Sequence, residues 1–310
     1  MVETLESLRK KRIRASEIRS VVRTMKLLSA ISLNQYERSV ASLDEYAADV
    51  ELALAAALAQ SRRCLGENGS FVEAVFQKTG SLEPERLGDA LGVVVFGSDQ
   101  GLVGRFNADV AATAQNISRD WPFRKRFWAV GTRVAIELQE IGITPEKVFQ
   151  VPSSGDDIVT LVEDILLLTP ALESSPSFHK FSLCHQGFLV GVGVAPAVVD
   201  LLPLGREWCA RMLDKPWPVR RVPDLIGSAE NAVFGLLREF LFVVIYRCCG
   251  KSLAAENASR LAVMQRAENN IDELQEQLEL SFHQLRQNSI DDELFDVVSG
   301  FEALMKTVHG

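Results

Sequence analysis

Apolar and small residues recur at three- and four-residue spacing at both ends of this chain, and the helical period gives way only in the middle. Residues 3 to about 63 contain no proline, no glycine precedes Gly66, and the stretch is rich in Ala, Leu, Glu, Arg and Ser. Such a composition predicts one long helix, roughly 90 Å at 1.5 Å per residue. Its apolar seam runs through Ile18, Val22 and Met25 and again through Tyr36, Val40, Leu43, Ala47, Val50 and Leu54, the spacing of a coiled-coil face. Between the two runs the seam falls to Ser29 and Ser32, which allow close approach and bury little.

From about 65 to 220 the pattern changes to short apolar runs punctuated by Gly and Pro: LGVVVFG, RFWAVG, KVFQV, KFSLCH and GFLVGVGV. These read as strands. Residues 107 to 120, 131 to 141 and 156 to 168 have helical composition, so strands and helices alternate as in an α/β sandwich. The last two runs meet at His185-Gln186-Gly187 as a hairpin would, which predicts a mixed sheet.

No proline follows Pro223, and a second very long helix is predicted to the C-terminus, with a seam at Ala267, Ile271, Leu274, Leu278, Ser281 and Leu285. The seam resumes out of step at Ile290, Leu294, Val297, Phe301, Leu304 and Val308, after the polar run Arg286-Gln287-Asn288-Ser289. Two amphipathic helices at opposite ends of a chain bury their seams by pairing antiparallel. The expected fold class is therefore α/β: a long antiparallel coiled coil of N- and C-terminal helices with an inserted Rossmann-like α/β domain. The expected divisions are 1–64, 65–222 and 223–310. The C-terminal helix outruns its partner, and its end exposes an apolar surface that marks an interaction site.

Composition adds exclusions. With 47% hydrophobic and 24% charged residues and no low-complexity tract, the chain is expected to fold throughout. The longest wholly apolar stretches, such as 240–246, fall far short of the roughly 18 to 20 residues of a membrane span. The start MVETLESLRKKRIR puts charges where a signal peptide needs an apolar segment, so a cytosol-facing protein is expected. Five cysteines (Cys64, Cys184, Cys209, Cys248 and Cys249) form no CxxC pair, and their odd count reads as free thiols. His179 and His185 share a face of the expected strand but lack a third ligand nearby, and are read as structural. The net charge of −8 disfavours nonspecific nucleic-acid binding by the whole surface.

One patch is basic. Arg9, Lys10, Lys11, Arg12, Arg14, Arg19, Arg23 and Lys26 stand against Glu17 alone in that span. A charge run of this kind is usually a solvated face, and DNA is a rival partner, weakened by the absence of aromatic side chains for stacking. The glycine-rich turn from Gly97 to Asn107 is spaced GxxxGxxG and is followed by no GK[ST], so it fits neither dinucleotide nor phosphate-loop chemistry. No GxSxG and no catalytic Cys-His or carboxylate cluster stands out.

Three segments resemble the gamma subunit family of F-type ATPases. Near the C-terminus Ile290, Glu293, Asp296 and Gly300 follow the family signature, while Asp291 and Phe301 depart from its usual Thr and Ala. In ENASRLAVMQRAENN the matching residues are Glu256, Arg260, Ala262, Met264, Ala267 and Asn269. In FGSDQGLVGRFN they are Ser98, Asp99, Gly101, Leu102, Gly104, Phe106 and Asn107, while Gln100, Val103 and Arg105 depart. The N-terminal LESLRKK and SVVRTMKLLSAISLNQYERSV look most like a divergent branch, the gamma subunits of alternative or sodium-type F-ATPases. The two-cysteine regulatory insertion of chloroplast members is not evident between Cys184 and Cys209, so no thiol switch is implied.

The resemblance implies a noncatalytic central stalk rotor with no cofactor of its own. It implies alpha and beta subunits, an epsilon subunit and a c-subunit ring as partners, no nucleic acid, and a peripheral position on the cytoplasmic face of the inner membrane. It also implies that Met25 and Lys26, with the neighbouring basic residues, face acidic beta-subunit loops, and that Arg286 and Gln287 hydrogen-bond a beta-subunit loop.

Overall fold

The computed structural model describes residues 4–65, 90–169, 178–189, 193–204, 206–217 and 228–308. In chain order these form α1 (Leu5–Leu65), β1 (Leu91–Phe96), α2 (Phe106–Arg119), β2 (Lys125–Val130), α3 (Thr132–Glu140), β3 (Lys147–Phe149), α4 (Gly155–Leu166), β4 (Lys180–Leu189), β5 (Gly193–Leu202), α5 (Arg206–Leu213) and α6 (Ala229–Val308). Both long helices are capped by side chains. The N–H of Ser7 donates to Thr4 Oγ1 and that of Asn231 to Ser228 Oγ, which satisfies donors that the first turn leaves open. The chain divides into two compact units, Met1–Ser29 with Leu261–Gly310, and Ala30–Arg260.

In the larger unit the sheet order is β3-β2-β1-β4-β5. The β1/β2, β2/β3 and β1/β4 pairs are parallel, whereas β4/β5 is antiparallel, so the sheet is mixed as expected. Alternation along β1 and β2 sends Val94, Phe96, Trp128 and Val130 to one face, where they pack with Leu54 and Leu58 of α1, Ile158 and Ile165 of α4, and Leu241 and Ile245 of α6. Val93, Val95, Phe127 and Ala129 face α2 and α3 through Val110, Ala114, Val134 and Leu138. Burial on both faces explains why the central strands read as unbroken apolar runs.

The hairpin expectation needs correction. His185, Gln186 and Gly187 lie within β4, paired with Ala197, Pro196 and Ala195 of β5. The intervening residues 190–192 lie outside the described residues. Gly187 has the look of a turn residue, yet in β4 it is simply a small residue beside the His185 ring. β5 continues from Ala195 to Leu202, past the end of the apolar run GFLVGVGV.

The α1 seam of this unit is as expected, with Tyr36, Ala47, Val50 and Leu54 buried. It runs antiparallel to α6: Asp44 pairs with Arg247 at 2.7 Å, and Tyr46 donates to Glu239.

In the smaller unit the two helices also run antiparallel, tied by Arg12–Glu279 (2.9 Å), Arg19–Asp272 (2.7 Å) and Lys26–Glu268 (2.7 Å). The buried α1 side chains are Leu8, Ala15, Val22 and Ser29, seven residues apart, a repeat that keeps one face on its partner when helices supercoil. Ile18, expected in the seam, is 55% exposed. The ion pairs bring the flank of Arg12, Arg19 and Lys26 to the interface and turn Ile18 out. On α6, Met264 and Leu278 are buried, with Ile271, Gln275, Phe282 and Leu285 half-buried beside them. Leu274, also expected in the seam, is 47% exposed because Gln275 takes the inward position.

Candidate functional site

Two of the segments that carry the family resemblance meet in the larger unit. After β1 the chain turns at Ser98, whose N–H donates to Asn107 Oδ1 while Asn107 Nδ2 donates back to Ser98 Oγ, both at 2.9 Å. Asp99 accepts the Thr132 N–H on one carboxylate oxygen (2.7 Å) and the Val151 N–H on the other (2.8 Å), joining the chain just past the ends of β1, β2 and β3. Gly131 sits at φ 109°, and a Cβ there would lie 2.7 Å from the Ser98 carbonyl oxygen, so this crossing admits only glycine. Beyond the turn, Val103 and Phe106 pack on Ala255 of α6, and Gln186 Nε2 donates to the Phe106 carbonyl.

The turn that resembles a phosphate cradle is thus filled by its own side chains. Ser98 N–H is already satisfied by Asn107, and Asp109 places a negative charge in the first turn of α2, where a phosphate would have to sit. What the segment does is brace α6 against the sheet.

One residue further along α6, Glu256 pairs with Arg260 at 2.7 Å, both buried. Burial pushes the Glu256 carboxyl above its ordinary range, against the opposing pull of the Arg260 hydrogen bond. Cys184 and Cys248 are buried free thiols whose desolvation raises them to about 12, so neither is a reactive thiolate. His185 is buried, its Nδ1 2.8 Å from the Gln186 carbonyl oxygen, and burial lowers its pKa. The His179 ring lies tilted against Trp121, their centroids 5.6 Å apart.

The residues expected to meet partners lie in the smaller unit. Met25 and Lys26 are half-buried. Lys26 Nζ sits 2.7 Å from Glu268 Oε2, and Arg23 Nε lies 3.8 Å from the other oxygen. That hydrogen bond from Lys26 holds the Glu268 carboxyl below the usual carboxylate range, helped by the charges of Arg23 and Arg19. On α6, Arg286, Gln287, Glu293 and Asp296 are exposed, as is Ile290; Gly300 continues the helix. The acids Glu268, Asp272 and Glu279 were missed in the sequence. The seven-residue spacing of Arg12, Arg19 and Lys26 was the available signal, since cations repeating in a coiled-coil period call for acids across the seam.

Long helices from the two chain ends with a mixed α/β sheet between them along the chain define the fold class. The ATP synthase family model matches residues 4–304. The ATP synthase gamma chain of Bdellovibrio bacteriovorus is 25% identical over 299 residues, covering 92% of this chain and 93% of that one. The gamma chain of Neisseria gonorrhoeae is 26% identical over 235 residues, covering 72% and 77%.

Among solved structures, a chain of the central stalk and c-ring of Tetrahymena thermophila mitochondrial ATP synthase aligns over 80% of this chain and 99% of its own, with TM-score 0.55 and 16% identity. One from the OSCP/F1/c-ring structure of the Euglena gracilis mitochondrial enzyme aligns over 97% and 94%, with TM-score 0.59 and 12% identity. The chain belongs to the ATP synthase gamma chain family, the non-catalytic central stalk subunits of rotary ATP synthases. As a gamma chain it is part of a membrane-associated complex, although among the described residues no helix is long and apolar enough to cross a membrane.

Proposed function

We propose that this chain is the rotor shaft of a proton- or sodium-translocating F-type ATPase, held peripherally on the cytoplasmic face of the inner membrane. In this reading residues 1–64 and 223–310 supply paired helices that stand inside a hexamer of alpha and beta subunits. Residues 65–222 form the domain that grips epsilon and the c-subunit ring. The mechanism is mechanical. An asymmetric shaft makes different contacts with each beta subunit, and a partner's nucleotide affinity shifts only by that difference in contact free energy. ATP chemistry stays in the partners, and the chain carries no cofactor and contacts no nucleic acid.

The observation that carries this reading is the C-terminal part of α6, where Leu294, Phe295, Val297 and Val298 are all more than half exposed, Phe295 at 74%. A helix with that much apolar surface facing water is built to be covered by a partner. Along it Arg286 and Gln287 supply the contact to a beta-subunit loop, and Ile290, Glu293, Asp296 and Gly300 carry the family's signature. Met25 and Lys26 with the neighbouring cations of α1 face the acidic beta loops.

Assembling the full chain with alpha and beta subunits and measuring ATP turnover tests the reading. Turnover should depend on this chain and fall when Arg286 and Gln287 are both replaced by Ala. A complex that turns over equally well with and without the chain would contradict it.

A further inference from the structure

Arg12, Arg19 and Lys26 stand seven residues apart on α1, and each has a carboxylate of α6 within 2.9 Å. Arg23 departs from that pattern. It shares the carboxylate of Glu268 with Lys26, from 3.8 Å, and its side chain is 74% exposed against 32% for Lys26 and 10% for Glu268. One nearly buried carboxylate therefore serves two cations, which leaves one positive charge over at this point of the helix pair. Lys26 is drawn to the seam, while Arg23 reaches into solvent. The remaining exposure of Lys26 lets its flexible stem carry the ammonium to another acceptor without parting the helices.

We propose that Glu268 is an internal competitor for acidic partner segments: it retains Lys26 in the helix seam and leaves Arg23 as the freer of the two cations it serves. The partner chemistry follows from the surplus charge, since a carboxylate-rich loop is attracted to it and a basic one repelled. The proposal rests on the reading that the basic face of α1 meets acidic loops, and it identifies the residue on this chain that sets how strongly the face binds them. Glu268 is a positioning residue in this arrangement, acting through Lys26.

The test is the affinity of the full chain for an alpha/beta hexamer prepared without it, at low salt and at about 1 M salt, with the melting temperature of the free chain followed alongside. Glu268→Gln releases Lys26 and should tighten low-salt binding about two- to fivefold, and adding Lys26→Gln should erase the gain. Glu268→Asp keeps the carboxylate and should bind near wild type. Arg23→Gln should weaken binding by a similar factor, and all these differences should shrink at high salt. If Glu268→Gln melts below the assay temperature, Glu268→Met preserves the packing and carries the same expectation.

If Arg23→Gln weakens binding but neither neutral variant of Glu268 tightens it, the competitor role is overturned and the basic-face reading stands. If no variant alters low-salt affinity, the basic-face reading falls as well.

Discussion

Gly250 of α6 lies so close to Val40 of α1 that a Cβ built on it would fall 2.5 Å from Val40 Cγ2. Two helices meet here without room for a methyl group. Replacing a helical glycine by alanine ordinarily gains up to about 1 kcal/mol of helix propensity, but overpacking a stiff β-branched neighbour costs about 1 to 3 kcal/mol. Gly250→Ala should therefore lower the stability of the full chain in urea denaturation. Adding Val40→Ala should recover part of the loss by making space. If Gly250→Ala alone stabilises the chain, the close approach is wrong.

Asp99 holds the amides of Thr132 and Val151 on its two oxygens. Hydrogen bonds to a charged acceptor contribute about 1.5 to 3 kcal/mol each, less where water competes. Asp99→Ala should cost about 2 kcal/mol in chemical denaturation, and Asp99→Asn less, because its amide oxygen can still accept one of the two bonds. Indifference to both changes would mean that the bonds contribute nothing net.

Two carboxylates predict opposite responses to pH. The Glu268 pKa is lowered in the folded chain, chiefly by the Lys26 hydrogen bond, so its contribution is present above the ordinary value of 4.5 and is lost as pH falls through the lowered value. Glu256 is raised, chiefly by burial. Its contribution is present below the ordinary 4.5 and is lost as pH rises through the folded value. Melting curves from pH 3 to 7 should show a smaller acid-side loss for Glu268→Gln than for wild type. For Glu256→Gln they should show a smaller decline on the rising side. Unchanged profiles would remove both assignments.

Arg286 and Gln287 are exposed side chains with no role in the buried seam of their own unit. Arg286→Ala with Gln287→Ala should leave helix content and melting temperature nearly unchanged. One charge-assisted hydrogen bond lost to a partner, about 1.5 to 3 kcal/mol, is enough to lower turnover of the assembled complex by an order of magnitude if it acts in the slow step. A folding defect would place these residues in the chain's own packing, and unaltered turnover would remove them from the partner contact.

Helix period and proline placement made the two long helices legible, because a helical period sustained over tens of residues with no proline persists across local breaks in the seam. The α/β alternation was equally readable from β1 through α4. The errors fell where period is ambiguous. β5 mixes alanine, proline and valine in a strand at the sheet edge, where the half-exposed pattern loses contrast, and Gly187 mimicked a turn inside β4. In the smaller unit, hydrophobicity alone favours Ile18 and Leu274 for the seam, whereas charge complementarity favours Arg19 at the interface, with Gln275 turned inward. Ion pairs across the helices decide between them. The brace of Ser98, Asp99 and Asn107 was visible as a motif, but its backbone partners come from segments far along the chain, which no local pattern reveals.

A non-catalytic shaft of a rotary complex must turn against its alpha and beta partners. The most direct test is to fix the alpha and beta subunits of the assembled complex to a surface, attach a visible probe to the α/β domain of this chain, and add ATP. The probe should rotate in one direction in step with hydrolysis. Sustained hydrolysis with the probe stationary would contradict the shaft role.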